Sequence, residues 1–360
     1  MAGVCQPHRY WTRNRGGLMQ TKATPRAMRA WVVPSERGTR PRLRSVSRDV
    51  PRPGARDVLL RTVVCGVCRT DLHLADHDLV PRRPHTVPGH ELVGTVVERG
   101  PGAERFEVGE RVGVAWLRGT CGRCRMCRFG RENLCRDASF TGWDADGGFA
   151  EYAVAPEAFG YRLPDVFPDV EAAPLLCSGI IGYRALKRAH VPAGGRLGLY
   201  GFGASAHLTA QLAIAQGVEV HVLTRDEDAR RLALELGAAS VGGAREAPPV
   251  ALDAAILFAP VGDLVPVAMA SLDQGGTLAV AGIHLSEIPT LDYQRDLFRE
   301  RTLTSVTANT RADGEEFLRL AAALGVRPRV TTYPLREADL ALDDLAGDRV
   351  TGAAVLVADT

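Results

Sequence analysis

Two patterns of apolar residues divide the chain. As far as about residue 177, apolar positions come in short runs separated by proline and glycine, and 58–64, 92–97 and 111–114 each read as strands. Prolines at 34, 41, 51, 53, 81, 84, 88 and 101 exclude long helices from that stretch. A mostly β, loop-rich domain over 28–177 is the expectation. Beyond it the pattern changes. Residues 196–200 form a short apolar strand, a glycine turn follows, 206–216 carry apolar residues at helical spacing, and 218–223 alternate as a strand again. Helices at 230–236 and 265–272 and strands at 254–258 and 277–281 continue the alternation. Strand and helix in turn over 178–308 predict a doubly wound parallel sheet. A helix at 314–324 and a strand at 353–357 are predicted to return to the first domain, which takes 309–360. The fold class is therefore α/β, with no internal repeat and no low-complexity segment.

Composition narrows the class. The chain has 360 residues, 46% apolar and 24% charged, the balance of a water-soluble globular protein. A formal net charge of +2 is too small to argue for nucleic acid, and no apolar run approaches the roughly 20 residues that cross a bilayer. Lysine occurs only at Lys22 and Lys187, so the positive charge is almost entirely arginine, which reads as a genomic codon bias. Residues 1–27 are basic and polar and cannot bury a core. They read as a disordered tail, or as the product of a start placed ahead of Met19 or Met28. They lack the apolar stretch of a secretory signal, while their poverty in acidic residues matches an organelle-targeting peptide.

Four of the eight cysteines crowd into Cys121, Cys124, Cys127 and Cys135 on one irregular stretch. Such clustering suits metal binding in a reducing cytoplasm better than crosslinks. Four thiolates fill every corner of a zinc tetrahedron and leave no place for substrate, so this zinc would be structural. Arg123, Arg125, Arg128, Arg131 and Arg136 would offset its negative charge. A zinc-ribbon module that binds nucleic acid is the competing reading. It leaves the glycine-rich α/β half unexplained.

Further ligand-type residues stand in three distant segments, at 65–73, 88–91 and 175–179. Two cysteines and one histidine would give zinc three ligands and an open fourth position, the catalytic arrangement. Zinc cannot change oxidation state, so a redox cofactor would have to accept a hydride. From spacing alone, Cys177 in its apolar stretch is more often a small core residue. Gly201-Phe-Gly203-Ala-Ser-Ala206 supplies the cofactor signal: it follows a predicted strand and opens a predicted helix, the context the G-x-G-x-x-G/A dinucleotide turn requires.

The chain resembles the medium-chain zinc alcohol dehydrogenases, the yeast-type branch in particular. It does so in GVCRTDLH at 66–73, GHE at 89–91, the cysteine ladder, AWLRGTCGRC at 115–124 and LLCSGIIGYRAL at 175–186, in the family's order. The resemblance implies a GroES-like β domain wrapped by both chain ends, an inserted Rossmann domain and an active site in the cleft between them. It implies that Cys68, His90 and Cys177 bind a catalytic zinc, with Cys65 a neighbour and Glu91 a nearby carboxylate or occasional ligand. Asp71 would orient the His90 imidazole. Thr70 would hydrogen-bond the substrate alkoxide, and His73 would carry the proton to solvent through the cofactor ribose. Arg69 would contact the pyrophosphate, and Trp116 would form an aromatic wall favouring small or slim alcohols. The implied activity is reversible hydride transfer between a primary or secondary alcohol, or its aldehyde or ketone, and NAD(P), with two zinc ions per chain. A homodimer or homotetramer is implied, with a small-molecule substrate and neither nucleic acid nor membrane as partner. A zinc-free quinone or enoyl reductase of the same superfamily is the competing enzyme reading, and the Cys68, His90 and Cys177 set speaks against it.

The departures from the family are specific. At the tip of the second Rossmann strand, where NAD-using relatives carry an acidic residue, stand Thr224 and Arg225. These favour NADP(H), because a carboxylate repels a 2′-phosphate that Thr and Arg can bind. The alternative is that Arg225 is solvated and Asp226 takes the ribose. The loop after His73 reads Ala75-Asp-His-Asp78 instead of carrying a tryptophan. His284 falls near the nicotinamide or on the surface. Gly352-Ala353 replaces the Gly-Arg common before the last strand.

Overall fold

The computed structural model describes residues 24–359. The expected basic tail lies outside these residues, except for 24–27, of which Ala27 opens the first strand. In the first domain one long strand, Asp57–Val67, organises the sheet. Its first half pairs antiparallel with Tyr152–Pro156, and its second half with Ala353–Val357, the last strand of the chain. Its other edge takes Glu91–Arg99, followed outward by Arg111–Val114 and Gly160–Arg162. The metal-type loops therefore leave a strand held on both sides. Gly66 lies opposite Glu91 in this pairing, and a Cβ there would fall 1.8 Å from Glu91 Oε2. Only glycine leaves room for that carboxylate.

The second sheet is parallel throughout, in the order Ser240–Gly242, Glu219–Leu223, Arg196–Tyr200, Leu252–Leu257, Leu272–Val280, Thr302–Ser305. Strand order reverses beside Arg196–Tyr200, so the crevice of a doubly wound sheet opens directly over the glycine turn. The expected helix at 265–272 is shorter, Leu264–Ala270, and Leu272 already begins the next strand. Ser271 ends it: its hydroxyl donates back to Val267 O at 3.1 Å and accepts from Tyr200 at 2.9 Å.

A helical run from Asp169 to Ala189 joins the two sheets, although the sequence pattern up to 177 predicts only strands and loops. Pro174 interrupts it. Proline has no N–H to donate into the preceding turn, and the turn at Leu175–Gly179 widens to the i→i+5 form. Leu175, Leu176 and Ile180 in and beside this turn are fully buried, in an apolar core that runs without a break from Val64 and Val93 of one sheet to Leu197 and Ile256 of the other. Cys177 rides on the widened turn.

Polar contacts tie the seam. In the helix Ala204–Ala215, His207 Nδ1 donates to Gly203 O at 3.3 Å, while His207 Nε2 accepts from Arg329 N–H at 3.3 Å. Gln211 exchanges two hydrogen bonds of 2.9 Å with the backbone of Arg327. Burial pushes the His207 pKa down to about 4 from 6.5. A neutral histidine in the folded state and a protonated one in the unfolded state means that this stabilisation is complete above pH 6.5 and is lost as pH falls toward 4. At about 1.4 kcal/mol per pH unit this amounts to roughly 3 kcal/mol at most. His207→Gln is expected to be less stable than wild type at pH 7.5 but to lose less stability between pH 6.5 and 4 (about the titration window). Parallel denaturant curves for both proteins across that range would refute the assignment.

Candidate active site

The strand Asp57–Val67 runs into the helix Arg69–Ala75, and Cys68 is the residue that caps the helix. Cys68 Sγ accepts the Thr70 N–H at 3.3 Å. Asp71, three residues on, closes the cap by accepting the Cys68 N–H on Oδ2 at 3.0 Å. Its other oxygen accepts the Gly89 N–H at 2.9 Å. Gly89 has φ +96°, and a Cβ there would strike Phe149 and the Cys65 sulfur. One carboxylate thus clamps the loop carrying Cys68 to the loop carrying His90.

Cys177 completes the set from the widened turn. His90 Nε2 lies 3.4 Å from Cys68 Sγ and 3.3 Å from Cys177 Sγ. One ligand atom from each of Cys68, His90, Glu91 and Cys177 falls within 4.8 Å of the others. A tetrahedron with Zn–S bonds of about 2.3 Å has edges of about 3.8 Å, so these separations are those of ligands around one small ion. Charge argues the same way. Cys68, Cys177, Glu91 and Asp71 put four anion-forming groups in one buried space against a single imidazole. Burial pushes the Glu91 and Asp71 carboxyls up, and the Glu91 Oε1 atom has no hydrogen-bond partner among the described residues. The hydrogen bond with Cys177 holds the Cys68 thiol well below the usual range, while the same bond and burial push Cys177 well above it. Desolvation opposes the charge on His90, but the neighbouring Cys68 and Asp71 raise it overall. A dication answers all of these demands at once. Cys65 is fully buried behind the site, its thiol raised by burial.

Asp71 faces the His90 imidazole but makes no hydrogen bond to it. The Nδ1···Oδ1 separation is 3.6 Å, too long for one, and the two carboxylate oxygens serve backbone N–H groups instead. Its grip on the imidazole is electrostatic. Thr70 is buried in the first helical turn. His73 lies one turn further and places Nδ1 3.3 Å from Asp78 Oδ2, while Asp78 Oδ1 accepts from Arg37 at 3.1 Å. The ring of His284, arriving from the other domain, sits 5.6 Å from that of His73.

Trp116 meets His90 edge-on, with centroids 4.8 Å apart. Behind it stack Phe140 at 5.0 Å and Trp143 at 5.9 Å, with the Arg82 guanidinium 3.7 Å over the Trp143 ring. The sequence pattern marked Trp116 alone. Phe140 and Trp143 lie three apart just after the cysteine ladder, a pairing without strand or helix periodicity.

The cysteine ladder closes on itself. The Sγ atoms of Cys121, Cys124, Cys127 and Cys135 all lie within 4.8 Å of one another, with pairs at 3.5 Å. Backbone N–H groups of Arg123 and Cys124 pull the Cys121 thiol down to about 7, which favours the thiolate a metal needs. The loop docks on segments far along the chain: Glu132 receives the Arg311 guanidinium and its backbone N–H, and Asn133 donates to Thr307 O at 2.8 Å.

At the cofactor turn Gly201 has φ +87°, and a Cβ there would come 2.9 Å from Ala259 N. Gly203 caps the helix Ala204–Ala215 and faces open space, and Ala206 is fully buried against the sheet. A helix N-terminus open in this way suits a pyrophosphate. At the next strand tip Thr224 is buried, and the Arg225 side chain is 88% exposed. Asp226 is committed to capping the helix Glu227–Glu235, accepting from Asp228 N at 2.8 Å and Ala229 N at 3.1 Å. Arg69 pairs with Asp348.

Residues 54–165 match the model of the alcohol dehydrogenase GroES-like domain, and residues 206–323 that of the zinc-binding dehydrogenase domain. A probable alcohol dehydrogenase, AdhA, of Mycobacterium tuberculosis is 55% identical over 347 residues, 94% of this chain and 100% of that protein. Acetophenone reductase of Geotrichum candidum, in complex with NAD, superposes with a TM-score of 0.84 at 25% identity, covering 93% of this chain and 98% of that one. A zinc-binding dehydrogenase of Sinorhizobium meliloti bound to NADP does so with a TM-score of 0.80 at 27% identity, covering 92% and 99%. With two metal-type clusters, a dinucleotide turn and these relatives, the chain belongs to the medium-chain, zinc-type alcohol dehydrogenases and is an NAD(P)-dependent oxidoreductase.

Proposed function

We propose that the chain binds two zinc ions, one at each cluster, and oxidises slim or planar alcohols reversibly with a preference for NADP(H). The convergence of Cys68, His90 and Cys177 from three distant segments carries this reading. A zinc ion held by Cys68, His90 and Cys177 would supply Lewis acidity toward the substrate oxygen, and a nicotinamide cofactor held at the glycine turn would supply the hydride acceptor. The remaining steps belong to side chains. The Thr70 hydroxyl accepts the alcohol proton while giving up its own. His73, on the same helix and tied through Nδ1 to Asp78, has Nε2 left to take a proton and pass it to solvent. Trp116, backed by Phe140 and Trp143, supplies a flat wall against which a slim or planar carbon skeleton fits. Four cysteines in one cluster and two in the other suit a reducing, cytoplasmic setting. The outermost Rossmann strand, Thr302–Ser305, leaves a sheet edge that suits pairing with a second copy in a homodimer or homotetramer.

Support for NADP(H) comes from the strand tip. Thr224 replaces a carboxylate, Asp226 is occupied as a helix cap, and the exposed Arg225 side chain is held only by Asp348 at 3.7 Å.

Three outcomes are expected. Elemental analysis of freshly purified protein gives about two zinc per chain. Cys68→Ser loses one zinc and its activity yet stays folded, whereas Cys124→Ser loses the other zinc and melts earlier. One zinc or none in wild type removes the two-site reading. Thr70→Val keeps zinc but lowers alcohol turnover by about 10²–10⁴-fold, the usual scale of acid–base assistance. Near-normal turnover would take Thr70 out of the relay. Finally, kcat/KM favours NADP(H) by about tenfold, near the lower end for a charge-assisted hydrogen bond because Arg225 is exposed. Thr224→Asp combined with Arg225→Ile reverses the order. A wild type that prefers NAD(H) tenfold or more (about one decade) would make Arg225 a surface charge only.

A further inference from the structure

Arg69 opens the helix that carries Thr70 and His73, and Arg225 stands at the tip of the second Rossmann strand. They come from different domains, yet their guanidinium groups share one partner. Asp348 lies in the turn between the helix Ala338–Ala346 and the strand Ala353–Val357. Its Oδ1 meets Arg69, and its Oδ2 lies 3.7 Å from Arg225 Nη2. The Asp348 backbone has φ +54°, a left-handed conformation uncommon for residues other than glycine, though easier for Asp and Asn than for most. The turn is pinned on its far side, where Arg349 Nε donates to Asp344 Oδ1 at 2.9 Å and Nη2 to Asp343 O at 3.1 Å. The carboxylate is therefore presented by a built turn and spans the mouth of the cleft.

We propose that Asp348 is a specificity-determining residue, an internal anion that competes with the cofactor phosphates for Arg69 and Arg225 and selects against the 2′-phosphate. The inference rests on the reading of those two arginines as cofactor contacts. A pyrophosphate reaching Arg69 draws on one arm of the bridge. NAD(H) leaves the second arm intact, because it brings no charge to Arg225. NADP(H) takes both arms and sets a 2′-phosphate beside a carboxylate of like charge. Asp348 thus penalises both cofactors and penalises NADP(H) more, so that Arg225 alone does not fix the preference.

The test is equilibrium binding to the zinc-loaded protein, read by dinucleotide fluorescence and independent of turnover. NADPH and NADH are titrated into wild type, Asp348→Asn, Arg225→Ala and the double variant, and the non-fluorescent probe adenosine 2′,5′-bisphosphate is read by its displacement of bound NADPH. Asparagine tolerates the left-handed backbone as aspartate does, so Asp348→Asn preserves the turn. It is expected to bind NADPH and the bisphosphate about three- to tenfold more tightly and NADH less than about twofold more tightly, with the gain shrinking at high salt. Arg225→Ala loses NADPH affinity, and in the double variant the gain from Asp348→Asn disappears. If Asp348→Asn leaves NADPH affinity unchanged or weaker while Arg225→Ala still loses it, the cofactor reading stands and the role of Asp348 is wrong. If Arg225→Ala binds NADPH as well as wild type does, the phosphate reading itself falls, and this inference with it.

Discussion

Two backbone N–H groups donate to the carboxylate of Asp71, and the geometry of the metal-type site hangs on that pair of bonds. One comes from Cys68 and the other from Gly89, so the side chain fixes the distance between two loops that the chain order keeps 21 residues apart. The arrangement has a cost, because Asp71 is buried and its charge is desolvated. The bonds to backbone N–H groups and the nearby imidazole offset part of it. The rest is a buried excess of negative charge, and the same excess makes a dication the natural occupant. Structure and chemistry are here one constraint: a loop clamp made of charge needs a cation beside it.

That constraint reaches outward through the helical run at 169–189. Cys177 must reach the site from a different element than Cys68 and His90, and it does so on a turn widened by Pro174. The residues flanking it, Leu175, Leu176 and Ile180, belong to an apolar core shared by both sheets. The third ligand is thereby mounted on the seam between the domains, where its position depends on how the two halves pack. Ligand placement and domain packing are coupled through that one turn, in which Gly179 must stay glycine because a Cβ would come 2.3 Å from the Phe317 ring.

The sequence made some of this legible and concealed the rest for physical reasons. The strand and helix periods across 196–281 are strong because the parallel sheet is buried on both faces, and the elements there appear within a few residues of their expected places. The ligand residues were legible as types and spacings, and the resemblance supplied which of them act together. Three features were hidden. The helix leading into Cys177, Asp169–Pro174, is only 6 residues long and ends on a proline, too short to show a helical period. Phe140 and Trp143, stacked behind Trp116, lie on a two-residue strand and in the turn after it, segments too short for a period to be read. Asp348 acts through a contact with residues 279 and 123 positions away, a relation that no local pattern encodes.

The arginine bias of the chain takes on meaning when its partners are compared. Read from composition, it is a codon preference. In the folded chain several arginines hold carboxylates from distant segments. Arg311 grips Glu132, and Arg196 grips Asp253, through Nε and Nη2 together, while Arg327 and Arg329 each place one nitrogen on Glu171 and Glu235. A planar guanidinium can make two parallel bonds to one carboxylate, which a lysine ammonium cannot, so the Arg311 and Arg196 contacts gain direction as well as charge. Arg69 and Arg225 differ from these two forks in one respect. They share a single exposed carboxylate between them, at a geometry too loose to satisfy both. Surface pairs of that kind are weak and give way readily to a better anion. Arg311 and Arg196, each held through two nitrogens, are committed to structure, whereas the two at the cleft mouth are held only provisionally, the state in which a charged group remains able to receive a phosphate.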